Sequence, residues 1–143
     1  MDKSKDALEK FRDGYACSQA ILQVYGKEFG LDPEMALKIA SGFAGGMCQG
    51  DICGAVTGAY MVLGLKFSKE PYEKSEGRQK VYEAVKDFNM YFEGVHGAIL
   101  CKDLLGCDIG TEEGLAIAKE KQLFKMFCPR IVDTVTSVLE TML

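Results

Sequence analysis

Residues 51–65 read Asp51-Ile52-Cys53-Gly54-Ala55-Val56-Thr57-Gly58-Ala59-Tyr60-Met61-Val62-Leu63-Gly64-Leu65. Asp51 can cap a helix of about residues 52–66, and Gly54/Gly58 with Ala55/Ala59 lay stripes of small residues along it. Small side chains four apart let a second backbone approach closely, which favours a tight helix crossing at this point. The apolar run Ala55–Leu65 is interrupted by Thr57, Gly58 and Gly64. It is about half the roughly 20 residues needed to span a bilayer, so membrane insertion is not expected.

The flanking sequence is helical in the same sense. Upstream, Leu8, Phe11, Tyr15, Leu22 and Tyr25 recur at helical spacing, widened by Ile21 and Val24, and predict one helix over roughly 3–26 closed by Gly26 and Gly30. Asp32-Pro33-Glu34 is a strong helix start, followed by Met35, Ile39 and Phe43 at intervals of four. A glycine-dense stretch (Gly42, Gly45, Gly46, Gly50) leads into the central segment. Downstream, Lys69-Glu70-Pro71 marks a loop, and Val81, Val85, Phe88 and Phe92 define the inner face of a helix over about 73–93. Gly94 and Gly97 bracket a turn holding His96, and a short helix runs to Leu105 with Gly106 as C-cap. Thr111-Glu112-Glu113 opens the next helix, to about Gln122, and Pro129 opens the last, with Ile131, Val135, Val138 and Met142 inward. No alternating strand pattern, repeat or linker interrupts this series. The expectation is an all-α fold, one compact single-domain bundle of about six or seven helices over residues 1–143.

A chain of 143 residues with 48% apolar and 27% charged residues is large and apolar enough to bury its own core. Its net charge of −4 and the lack of any long Lys/Arg block argue against a nucleic-acid partner. The N-terminal Met1-Asp2-Lys3-Ser4-Lys5-Asp6 has no apolar stretch behind it, so a cytoplasmic location is expected.

In a reducing compartment the six cysteines (Cys17, Cys48, Cys53, Cys101, Cys107 and Cys128) are core thiols, metal ligands or redox thiols rather than structural disulfides. No Cys-x-x-Cys occurs, and Cys48/Cys53 and Cys101/Cys107 match no common zinc or ferredoxin spacing, so any shared site is assembled by the fold. Two positions favour a thiolate. Cys53 is expected in the first turn after Asp51, and Cys128, directly before Pro129, at an N-cap; free backbone N–H groups and the helix dipole stabilise sulfur anions there. Asp51 opposes this with its own charge, and both cysteines also suit a buried apolar role.

The run Cys53-Gly54-Ala55-Val56-Thr57-Gly58, with Cys17 before it and Cys101 and Cys128 after it, resembles the C_GCAxxG_C_C family of redox-active proteins. The likeness extends to Gly42-Phe43-Ala44-Gly45-Gly46 and Cys101-Lys102-Asp103-Leu104-Leu105-Gly106, and departs from the pattern at Ile52, where the family has glycine. The resemblance implies a site of Cys17, Cys53, Cys101 and Cys128, and leaves Cys48 and Cys107 outside it. Three functions are weighed. The first is a thiol site that cycles between dithiol and disulfide or passes electrons, with Cys53 as the attacking thiolate and one of the other three resolving it. The second is an iron–sulfur cluster or thiophilic metal ion held by the same four cysteines, with a redox or metal-handling protein as partner. The third is a non-catalytic helical module. Gly54 and Gly58 serve either a close approach to Cys53 or the helix crossing alone. His96, the single histidine, is a candidate ligand or proton carrier, although a lone loop histidine is more often incidental. Gly42–Gly46 lacks the lysine of a P-loop, and no hydrolytic triad is readable.

Overall fold

The protein is described by a computed structural model covering residues 2–143. Its helices are α1 (Lys3–Arg12), α2 (Cys17–Gly26), α3 (Pro33–Ala40), α4 (Gly54–Phe67), α5 (Ser75–His96), α6 (Cys101–Leu105), α7 (Glu112–Glu120), α8 (Leu123–Met126) and α9 (Cys128–Met142). The fold is all-α. Among the described residues the sole β pairing is an isolated antiparallel bridge between Ile52 and Leu100. No described helix is long and apolar enough to cross a membrane.

Local chemistry accounts for most boundaries. The Asp2 carboxylate accepts from the Lys5 N–H at 3.2 Å, and that of Asp32 from the Met35 N–H at 3.0 Å. Thr111 Oγ1 accepts from the Gly114 N–H at 3.0 Å and opens α7. Gly97 and Gly106 close α5 and α6 in the left-handed conformation that glycine adopts without steric cost.

The helix expected over 3–26 is broken. Gly14 adopts φ +108°, and the chain restarts at Ala16, whose N–H donates to Gln19 Oε1 at 3.0 Å. The Gln19 amide in turn donates to the Leu37 carbonyl, tying the new helix start to α3. Tyr15 therefore leaves the apolar stripe and is exposed, and Cys17 moves from mid-helix to the first residue of α2. Asp51 does not cap α4. Its carboxylate accepts from the adjacent Ile52 N–H, and Cys53 holds the N-cap position. In α3, Met35 and Ile39 face solvent while Ala36 and Ala40 are buried, because the small residues let α3 lie close on α2.

α4 is the central helix. Gly54 to Ala59, Val62 and Leu63 are all buried, and a helix apolar on every side must be enclosed by others. Its most extensive neighbour is α2, with α5 and α9 on further faces. Phe88, Phe92, Ile131, Val135 and Val138 close the core as the periodicity anticipated, alongside Ile21, Leu22 and Tyr25. The α2–α4 crossing depends on the missing side chain of Gly58, where a Cβ would stand 3.1 Å from both Ile21 Cβ and the Ser18 carbonyl oxygen. Gly64, on the same helix, has nothing within 4 Å. Gly58→Val should therefore lower the unfolding free energy by about 1–3 kcal/mol through overpacking. Gly64→Ala should be neutral or stabilising by up to about 1 kcal/mol through helix propensity. Urea denaturation of the two variants checks the contrast.

Candidate redox site

Four chain segments bring their cysteines to one cavity, and each cysteine stands at a helix start. Cys17 is the first residue of α2, Cys53 the N-cap of α4, Cys101 the first residue of α6 and Cys128 the first residue of α9. All four line a cavity of about 180 Å³ whose wall is completed mainly by Phe11, Leu104, Leu105, Ile109, Phe124 and Ile131. No charged side chain lines it. Cys53 and Cys101 are buried at 6% and 8% exposure, Cys17 and Cys128 are half-buried, and all six cysteines are free thiols.

Two local devices hold the sulfurs together. The Ile52–Leu100 bridge is flanked by a bond from the Cys53 N–H to the Ile99 carbonyl (2.8 Å) and one from the Cys101 N–H to the Asp51 carbonyl (2.7 Å). Residues 53 and 101 thus lie on the same side of a minimal antiparallel pair, opposite to Ile52 and Leu100. The second device is Gly54. A Cβ there would stand 2.7 Å from Cys17 Sγ and 3.0 Å from the Phe43 carbonyl oxygen, so only glycine lets the Cys17 sulfur settle beside the start of α4. The two roles weighed for the central glycines divide between them: Gly58 serves the crossing, and Gly54 serves both crossing and site.

The electrostatics single out one sulfur. The Cys17 thiol donates a hydrogen bond to Cys53, which lowers the Cys53 pKa; burial opposes this, and the backbone N–H groups of Ala55 and Val56 assist it. Those N–H groups do not close a regular cap hydrogen bond with the sulfur, so they act as the positive helix end. The same hydrogen bond raises Cys17, reinforced by burial and by the neighbouring Cys53 charge. Cys101 is pushed up to about 12 by burial and then by the charges of Cys53, Cys128, Cys107 and Asp108. Cys128 is likewise pushed up to about 12, by burial and then by Cys53. The N-terminal address expected to activate Cys128 is outweighed by its apolar surroundings. Of the four thiols, Cys53 is the one that ionises most readily.

His96 lies outside the cavity. Its Nε2 is 2.8 Å from Thr134 Oγ1, and its ring packs on Phe92. Cys48 and Cys107 do not line the cavity either; Cys48 is exposed on a left-handed turn at φ +61°. Among the described residues, no three His, Cys, Asp or Glu side chains gather at the spacing that holds one metal ion. The cavity's apolar wall and the helix start at Cys17 were not read from sequence. Asp13-Gly14, a helix-ending pair, is the signal that marks the latter.

Fold and site together define a class: helical proteins with a buried four-thiol cavity. The family model described as "Putative redox-active protein (C_GCAxxG_C_C)" matches residues 15–142, and the chain belongs to this family. No curated protein and no solved structure matches it.

Alkylation separates the thiols. With Cys48 and Cys107 replaced by Ser, Cys53 should react with iodoacetamide at lower pH than Cys101 or Cys128, as read by peptide mass spectrometry. Cys17→Ala removes the largest cause of the lowered pKa and should shift the Cys53 pH–rate profile upward. The raised thiols set the opposite dependence for stability. They contribute fully below 9.0, the ordinary thiol value, and lose that contribution as pH rises toward about 12. Wild type should therefore lose stability between pH 9 and 11 faster than Cys101→Ala, as measured by urea unfolding at each pH.

Proposed function

We propose that this protein is a thiol–disulfide redox protein in which Cys53 is the nucleophile and Cys17 resolves it. The observation that carries this reading is the meeting of two cysteines at the N-terminus of α4, where the Cys17 sulfur packs against Gly54 and Cys53 is the N-cap of the same helix. Cys17 lowers the Cys53 pKa and so favours the attacking anion, and it supplies the second sulfur beside it. With a peroxide as the two-electron oxidant, the Cys53 thiolate attacks one peroxide oxygen and the O–O bond breaks. Cys53 becomes a sulfenic acid, and the departing oxygen leaves as alkoxide or hydroxide and is protonated. The Cys17 sulfur then attacks Cys53 Sγ, the S–O bond breaks and water is released, leaving a Cys17–Cys53 disulfide.

Reduction runs in the reverse sense with an external protein dithiol, the redox partner of this reading. Its thiolate attacks Cys17, the less buried residue of the pair, and Cys53 departs because the lower-pKa thiol is the better leaving group. The second partner thiol then attacks the mixed disulfide and frees Cys17. One equivalent of hydrogen peroxide, added to reduced protein without oxygen, should remove two titratable thiols that dithiothreitol restores. Cys53→Ser should abolish the loss. Persistence of the full thiol count in wild type would reject this reading.

A second reading keeps the same four residues. Thiols as the sole polar side-chain groups, an apolar wall and the positive ends of α2, α4 and α9 also suit an anionic iron–sulfur cluster. Cys17, Cys53, Cys101 and Cys128 would hold such a group, and a cluster would supply one-electron transfer. Protein purified without oxygen should then carry iron in proportion to chain, with visible absorbance lost in Cys53→Ser. Metal-free, colourless and fully folded protein would eliminate this alternative.

A further inference from the structure

The Cys17–Cys53 chemistry leaves two of the cavity's thiols unused. Cys101 and Cys128 line the same cavity as the active pair, yet neither is needed to form or reduce its disulfide. We propose that Cys101 and Cys128 form a second, internal redox pair that takes over the disulfide from Cys17 and Cys53, so that the cavity stores four electrons. The proposal rests on the thiol–disulfide reading above.

Three observations support it. The first is shared space: four sulfurs border one cavity of about 180 Å³ with no charged side chain among them. The second is the bridge, which fixes residues 53 and 101 on one side of paired backbone and so commits Cys101 to the cavity that Cys17 and Cys53 line. The third is charge. While Cys53 is anionic it helps to keep both Cys101 and Cys128 protonated, and therefore inert toward oxidant. Once Cys53 is tied into a disulfide that charge is gone, and the remaining pair ionises more readily. Oxidation of the first pair thus primes the second.

The exchange balances without an outside reagent. The Cys128 thiolate attacks Cys17 Sγ; the Cys17–Cys53 bond breaks and Cys53 leaves as the thiolate. Cys101 then attacks Cys128 Sγ, the Cys17–Cys128 bond breaks and Cys17 departs. One disulfide has become another, with no net change in electrons. Of the two protons given up by Cys101 and Cys128, one settles on Cys17 and the other leaves to solvent. Cys53 is again an anion beside a Cys17 thiol, ready for a second oxidant molecule.

The test uses reduced full-length protein carrying Cys48→Ser and Cys107→Ser, titrated with hydrogen peroxide without oxygen, acid-quenched and mapped by peptide mass spectrometry. The first equivalent should yield mainly a Cys101–Cys128 disulfide with Cys53 free, and the second should bring the loss to four thiols. Adding Cys101→Ser and Cys128→Ser should halve the capacity, to one equivalent, and leave the disulfide at Cys17–Cys53. A four-cysteine protein that stops at one equivalent, with Cys101 and Cys128 still alkylatable, overturns the internal pair and leaves the thiol–disulfide reading standing. No Cys17–Cys53 disulfide in either protein overturns that reading as well. The mapping needs no substitution inside the cavity, so the result stands even if the additional substitutions impair folding.

Discussion

The close crossing of α2 and α4, which sets Cys17 against the start of α4 beside Cys53, is the constraint on which the site depends. It brings the first residue of α2 next to the N-cap of α4. The crossing requires bare backbone at Gly54 and Gly58, and Gly54 faces the sulfur itself. Packing and chemistry therefore meet at a single residue. A side chain at position 54 would separate the sulfurs and loosen the central helix pair together.

Burial and helix ends act on the four sulfurs in opposite directions. Desolvation favours the neutral thiol and raises Cys101 and Cys128; Cys17 is raised first by its interaction with Cys53 and then by burial, while the Cys17 donor and the N-terminus of α4 prevail at Cys53 alone. Once one sulfur carries charge, its field keeps the others neutral. An apolar cavity thereby makes chemically identical groups unequal, and that inequality is what a thiol site needs to assign an attacker and a resolver.

Much of the architecture was legible along the chain because helix signals are local. Asp32-Pro33, Thr111 with its following acids, and Gly97 and Gly106 act within one turn of themselves, and they fall where helices begin or end. The inward residues of α5 and α9 follow from periodicity alone. Errors came where a distant partner decides. An apolar stripe ran through Asp13–Ala16, but Gly14 takes a positive φ and Gln19 ties Ala16 to α3, so one expected helix became two. Asp51 looked like a cap, but its backbone is engaged with Cys101 across the chain.

The sequence by itself determined that the chain is helical, that its central helix is crossed closely at small residues, and that Cys17, Cys53, Cys101 and Cys128 fit one family pattern. These are properties of short windows and residue order. Only the tertiary structure decided that four sulfurs spread over 111 positions border one apolar cavity, that Cys17 is the neighbour of Cys53, and that Cys48, Cys107 and His96 stand apart. The reason is physical. Local sequence placed Cys53 and Cys128 at helix starts, but desolvation and the field of another sulfur depend on what the fold packs around each thiol, and those decide which one ionises most readily.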